Sequence, residues 1–166
     1  MPLPVAHGLV GASIIAAAHP HPTKRHYLPL FVGIFLANAA DFDFLLVSIF
    51  QSKAWHRGFT HSITFGLVVW LVMWLALGRP RIKEATAYGL AFGSHGLLDY
   101  LTTSEGGGVE LLWPFSAARF GLGAIGLSEL PSRLPILGIL KALVVEVLVF
   151  TPPLALIMCL RKYMRK

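Results

Sequence analysis

The chain has 166 residues and a net charge of +6, with 55% hydrophobic and only 13% charged residues. Soluble domains average about 25% charged residues, so this composition excludes a water-covered globular surface and indicates lipid as the solvent. The length predicts a single integral membrane domain over residues 1–166. One cysteine, Cys159, excludes an internal disulfide and a cysteine-built zinc site.

Five apolar segments follow one another, and they predict an all-α, multi-pass membrane bundle of about five helices. They cover residues 5–18, 28–50, 60–78, 84–101 and 135–160. The first is short against the roughly 20 residues that a spanning helix needs. Thr60 is a suitable N-cap for the third helix, and Pro152-Pro153 predict a kink in the fifth.

The segment between the fourth and fifth helices, residues 102–134, is too apolar for a solvated linker. It contains Gly106-Gly107-Gly108 and Trp113-Pro114-Phe115. Because Trp favours the membrane interface, we expect an interfacial or re-entrant segment before the last helix. Loops of this length often carry function.

The basic residues form short runs between apolar segments and give no nucleic-acid-binding stripe, so nucleic acid is not an expected partner. The runs are Lys24-Arg25, Arg79 to Lys83, Arg161-Lys162 and Arg165-Lys166. The positive-inside rule places these loops and the C-terminus in the cytoplasm of a bacterial inner-membrane protein. The N-terminus, the loop near Trp55 and the glycine-rich segment then face the periplasm.

This topology brings metal-type ligands from four segments to one depth near the periplasmic face. The ligands are His7, Asp41, Asp43, His56, His61, His95 and Asp99. In contrast, His19, His21 and His26 belong to a polar cytoplasmic loop.

His95 and Asp99 are four residues apart and therefore share one helix face, where they can hold a metal or simply hydrogen-bond to each other. Asp41 and Asp43 lie roughly 200° apart on a regular helix. Either the helix is distorted at these positions, or one aspartate binds the metal and the other supports it.

The densest polar stretch runs from His56 to Ser62. Its imidazoles suit zinc, Arg57 can bind a phosphate or carboxylate in a forked geometry, and Gly58 permits a turn that directs both His inward. We predict Arg57, Asp43 and His56 as catalytic residues. A loop charge at the lipid headgroups is the alternative for Arg57. Lys141 and Glu146 either pair inside the bundle or line its cavity.

Ligands of the His and carboxylate type, without thiolate, favour a hydrolytic site over a structural one. The expected cofactor is a divalent metal, zinc first with manganese or magnesium as alternatives, as one or two ions. Such a site lowers the pKa of bound water toward about 7 and clamps a phosphoryl or carbonyl oxygen.

These motifs together resemble the YdjM-like family of bacterial inner-membrane proteins. The resemblance extends from His7 to Ser116, through Asp41-Phe42-Asp43, the stretch from His56 to Ser62, His95 to Asp99 with Thr102, Gly107, and Leu112-Trp113-Pro114-Phe115-Ser116. It implies a membrane-bound metal-dependent hydrolase.

The order of ligands is also similar to that of the zinc-dependent phospholipase C and single-strand nuclease family. That resemblance implies that Asp41 or Asp43, with His61, His95 and Asp99, holds one metal. His7 and Asp99 would help to hold a second. The family's later His and His-x-x-x-Glu ligands are missing after Asp99, which argues against a trinuclear site and an identical mechanism.

The leading hypothesis is therefore hydrolysis of a membrane lipid or lipid-linked phosphoester at the periplasmic face. A non-enzymatic metal-binding or transport protein is the alternative. A third hypothesis is a metal-free phosphatase with a phosphohistidine intermediate, in which two nearby carboxylates would repel the phosphate. The substrate, the metal count and the oligomeric state do not follow from the sequence.

Overall fold

The computed structural model describes residues 2–18, 27–103, 107–124 and 136–163, and these ranges form an all-α protein. Their helices are α1 (Pro4–Ala18), α2 (Tyr27–Asn38), α3 (Phe44–Phe50), α4 (Ile63–Leu77), α5 (Ile82–Thr102) and α6 (Ile136–Tyr163). The predicted all-α class is confirmed. The predicted polar loop with His19, His21 and His26 lies outside the described residues.

Two described helical segments are long and apolar enough to cross a membrane, Tyr27–Phe50 and Ile136–Tyr163. A third qualifies if Lys53–His61 and Ile63–Leu77, which meet at 54°, count as one span. Helix α1 has 15 residues, or about 22 Å, against a hydrocarbon core of roughly 30 Å. All five predicted segments form helices, and how many of them cross the membrane stays a prediction.

Helix α5 lies at the centre of the described bundle, in contact with α1, α2 and α4. Its buried face consists of small residues and the site residues, among them Ala85, Ala91, His95 and Asp99. Other helices shield these polar groups from lipid. Because of this shielding, α5 can be less apolar than a lipid-facing span.

Helices α1 and α2 pack closely through glycine. A Cβ added to Gly11 would lie 2.6 Å from the Gly33 carbonyl oxygen, and one added to Gly33 would lie 2.2 Å from Ile15. Contact through small residues is the usual way in which helices associate in lipid, where hydrophobic burial gives no advantage. This contact places the first turn of α1, with His7, beside the end of α2.

One local prediction needs correction. The N-cap of α4 is Ser62, whose hydroxyl accepts a hydrogen bond from the Phe65 amide, and Thr60 lies in a 3₁₀ turn where its hydroxyl donates to Asp43. The predicted cap was wrong because the helix begins one turn later than the apolar pattern. Helix α6 continues as one element through Pro152 and Pro153, and the predicted kink at these residues stays a prediction.

Residues 107–124 of the predicted interfacial segment form a loop that is bound to the rest of the bundle. Val109 and Phe120 pair through two backbone hydrogen bonds of 2.8 and 3.0 Å. The Ile63 amide donates to the Leu111 carbonyl, which fixes the loop against the start of α4. Phe115 at the tip of the loop is 90% exposed. The position of this loop at the membrane interface stays a prediction.

Candidate metal centre

The predicted ligands converge at one end of α5. Helix α1 contributes His7, the 3₁₀ turn Ala39–Asp43 contributes both aspartates, and the connection between α3 and α4 contributes His56 and His61. The His7 and His95 rings stack with centroids 3.8 Å apart, and His7 Nε2 lies 3.6 Å from Asp99 Oδ1. His95 Nε2 lies 3.3 Å from Asp41 Oδ1.

Within the described chain, two ligand groups share His95. His7, His95 and Asp99 form one group, and Asp41, His61 and His95 form the other; in each, the candidate ligand atoms lie within 4.8 Å of one another. A further group of Asp41, Asp43 and His56 lies nearer the surface. Each of these groups could hold one ion.

Unpaired buried atoms test whether these residues suit a cation. Among the described residues, buried polar atoms without a hydrogen-bond partner include His7 Nε2, His61 Nε2, His95 Nε2, Asp41 Oδ1 and both oxygens of Asp99. Leaving such an atom unpaired costs about 1–3 kcal/mol. A divalent cation would satisfy these atoms together, and imidazole with carboxylate suits zinc and related first-row metals. The residues therefore fit the expected cofactor.

His95 is held in the tautomer that a metal needs. Its Nδ1 lies 2.6 Å from the Ala37 carbonyl oxygen, which can only accept a hydrogen bond. Nδ1 therefore carries a proton, so in the neutral ring Nε2, which lies 3.3 Å from Asp41 Oδ1, is the nitrogen available to a metal. A metal-binding His usually donates its second ring N–H to a carbonyl or carboxylate, which fixes the orientation of the ring.

The Asp43 carboxylate contacts several neighbouring residues of the site. Its Oδ1 lies 3.0 Å from His56 Nδ1, and its Oδ2 accepts from the Arg57 amide at 2.9 Å and from the Thr60 hydroxyl at 3.2 Å. His61 Nδ1 lies 3.3 Å from the same Oδ2, which leaves His61 Nε2 facing Asp41. The predicted distortion is confirmed, because both aspartates lie in a 3₁₀ turn. Asp41 faces the cluster and Asp43 contacts its neighbours, and which of the two binds a metal stays a prediction.

A glycine on α5 sets the position of His61. A Cβ added to Gly96 would lie 2.1 Å from the His61 carbonyl oxygen, so only glycine allows the 3₁₀ turn Phe59–His61 to approach this closely. Gly96 lies between His95 and Asp99 in sequence and thereby brings a ligand from another segment to the same depth.

Arg57 is buried beside the cluster, with 9% of its surface exposed. Its Nε lies 3.3 Å from Asp99 Oδ2, so the alternative of a loop charge at the headgroups is wrong. Its φ of 58° is in the left-handed region, which costs about 1–2 kcal/mol for a residue with a side chain. The Asp43 carboxylate on its amide and the Glu110 amide on its carbonyl hold this conformation. Residues held in such conformations often lie at functional sites.

Comparison with known proteins identifies the family. The sequence matches the family described as YdjM inner membrane protein over residues 1–163. The chain belongs to the YdjM family. Inner membrane protein YbcI of Escherichia coli (strain K12) is 40% identical over 100 residues, which cover 55% of this chain and 56% of that protein. The matched region is therefore about half of the relative's length, and no solved structure gives a significant match.

In this YdjM-family protein, several supporting residues escaped prediction. Glu146 is buried and accepts hydrogen bonds from the backbone amides of Leu3 and Ala6, while Lys141 is exposed. Glu146 thus caps α1, the helix of His7, and neither predicted role of the pair describes it. Its sequence signal was an acidic residue in an apolar helix, which must find a partner. Ala37 and Gly96 gave no signal that separates them from ordinary helix residues, and Thr60 was predicted only as an N-cap.

Proposed function

We propose that this inner membrane protein is a metal-dependent hydrolase that acts on a membrane lipid or lipid-linked phosphoester. We place its site at the periplasmic face of a multi-pass bundle, with the C-terminus in the cytoplasm. The observation that carries the proposal is the convergence of unpaired, buried ligand atoms from α1, the Ala39–Asp43 turn, the α3–α4 connection and α5. Without a cation, these atoms have only contacts of 3.3–3.7 Å with one another and with Arg57 Nε, whereas buried polar groups are normally hydrogen-bonded.

Each residue near the cluster has a role in this proposal. His7, Asp41, His61, His95 and Asp99 hold the metal. A bound divalent ion supplies a lowered pKa for coordinated water and polarises a phosphoryl oxygen.

The remaining polar residues would handle protons and charge. His56 has a side chain 20% exposed and Nδ1 on Asp43, so its Nε2 is free to move a proton at the open side of the cluster. Arg57 would bind a phosphoryl oxygen if Asp99 served as a metal ligand and no longer paired with the guanidinium, because guanidinium and phosphate match in geometry. Asp43 orients both His56 and Arg57.

One observation favours the alternative of a non-enzymatic metal-binding protein. In the group of His7, His95 and Asp99, each residue is at most 1% exposed. Closed sites are typical of structural metals, whereas catalytic sites keep an open position. The second group includes Asp41, whose side chain is 19% exposed, and it is this group to which we assign catalysis.

Hydrolysis can be measured on purified protein in lipid nanodiscs after loading with zinc or manganese. The substrates are phosphatidic acid, phosphatidylglycerol and a polyprenyl phosphate, with Lys141→Ala as a control on the exposed face of α6. We expect metal-dependent release of product that chelation abolishes and Asp41→Ala removes. Metal bound at full stoichiometry without turnover of any substrate would favour the non-enzymatic alternative, and turnover that survives complete metal removal would contradict the metal mechanism.

A further inference from the structure

An apolar groove of about 650 Å³ lies between α4 and α5. Its volume is within the roughly 300–1,000 Å³ typical of sites for small organic ligands. Helix α4 lines it with Gly66, Leu67 and Trp70, and α5 lines it with Leu90 and Gly93. The groove lies outside the ligand groups described above and touches them only through His61.

Glycine keeps the groove open. A Cβ added to Gly93 would meet no atom within 4 Å, so the missing side chain leaves empty space at this point. Two hydroxyls in the lining are already satisfied: Thr86 donates to the Ile82 carbonyl and Ser94 to the Ala91 carbonyl. The groove therefore presents an apolar surface along its length.

The length of the groove matches one leaflet of a bilayer. Its lining on α5 extends from Thr86 to Leu97. At 1.5 Å per residue this span is about 16 Å. Half of the hydrocarbon core of a bilayer is about 15 Å. A hydrocarbon chain that starts at the interface fits such a groove over its whole depth.

One end of the groove reaches the candidate metal centre. His61 lines the groove and also directs Nε2 at Asp41 within the ligand group. The lining is thus polar at one end and apolar elsewhere, which is the pattern of a lipid with a polar head and one extended tail.

We propose that the α4–α5 groove binds one hydrocarbon tail of a membrane lipid and thereby places the lipid's head group at the metal centre. The placement of the head group at the metal centre rests on the proposed hydrolysis. Tail binding is a property of the groove and does not require a metal. The role of the groove is positioning, because a tail that moves from surrounding lipid into it gains little from hydrophobic burial.

The experiment is photo-crosslinking in vesicles of phosphatidylethanolamine and phosphatidylglycerol that contain a phosphatidylglycerol with a diazirine on one acyl chain. Gly93→Phe fills the groove at a point where the added carbon meets nothing. Val72→Phe is the matched control, since Val72 lies on α4, does not line the groove and is 57% exposed. Leu90→Trp blocks the groove independently and replaces Gly93→Phe if that variant does not fold.

We expect labels on Leu67 and Leu90 in the wild type and in Val72→Phe, loss of both labels in Gly93→Phe, and loss of the Leu67 label in Leu90→Trp. The labels should persist in metal-depleted protein. Labelling that is equal in the blocked variants overturns the proposal. If tail labelling behaves as expected but no phosphoester is hydrolysed, the groove assignment stands and the proposed reaction falls.

Discussion

Replacing Gly96 with alanine tests how the fold positions His61. The new Cβ would lie 2.1 Å from the His61 carbonyl oxygen and 2.9 Å from its carbonyl carbon. Close C···O contacts in proteins are about 3.3–3.6 Å, so the Phe59–His61 turn must withdraw by about 1 Å. Overpacking of this kind costs about 1–3 kcal/mol, against which alanine returns about 0.5–1 kcal/mol of helix stability.

A displacement of about 1 Å at a ligand should weaken zinc binding by about 10- to 100-fold. The measurement is competition with a chromophoric chelator in detergent, together with the Tm of each variant. Gly93→Ala is the matched control, since it makes the same change one turn earlier on α5 where the added methyl meets nothing. We expect Gly93→Ala to bind zinc as the wild type does and to be slightly more stable. If Gly96→Ala binds zinc as tightly as Gly93→Ala, the close contact does not position His61.

Three further substitutions test the supporting residues. Asp43→Asn places an amide NH₂ against groups that donate hydrogen bonds to the carboxylate. We expect zinc affinity to fall by about 10- to 100-fold in the same chelator competition. Glu146→Leu removes the hydrogen-bond acceptor of two amides at the start of α1 and should lower the free energy of unfolding by about 1–3 kcal/mol. The control Lys141→Ala should change it by less than about 0.5 kcal/mol. Equal Tm values for the two variants would contradict the capping role. Arg57→Lys keeps the charge but loses the forked guanidinium that can bind two phosphate oxygens at once. We expect metal content to be unchanged and turnover of a phosphoester to fall by about 10²-fold or more. Undiminished turnover would exclude Arg57 from phosphate binding.

Periodicity and charge predicted the helical segments and the ligand set because both depend on local composition. His95 and Asp99 share a face by spacing alone, and the basic runs placed the remaining candidates at the same depth. The structure brings all of these side chains together. The N-cap of α4 was predicted at Thr60 because that residue also begins the apolar run, and only the three-dimensional packing shows that its hydroxyl serves Asp43 instead.

The supports of the site were harder to predict because each depends on contacts between segments distant in sequence. Glu146 meets the start of α1 about 140 residues away. Gly96 matters only because the His61 backbone passes over it. The different contacts of Asp41 and Asp43 follow from a 3₁₀ turn that neither helical periodicity nor composition predicts.

Metal content per chain is the most direct test of the central claim. It should be measured by elemental analysis on protein purified in detergent, for the wild type and for His95→Ala/Asp99→Ala, with folding of both checked by circular dichroism. We expect about one or two equivalents of zinc, manganese or a similar ion in the wild type, in line with the two ligand groups, and loss of this metal in the folded double variant. A folded wild type that holds no metal even after reconstitution would contradict the assignment and leave the His and Asp side chains as a buried polar network.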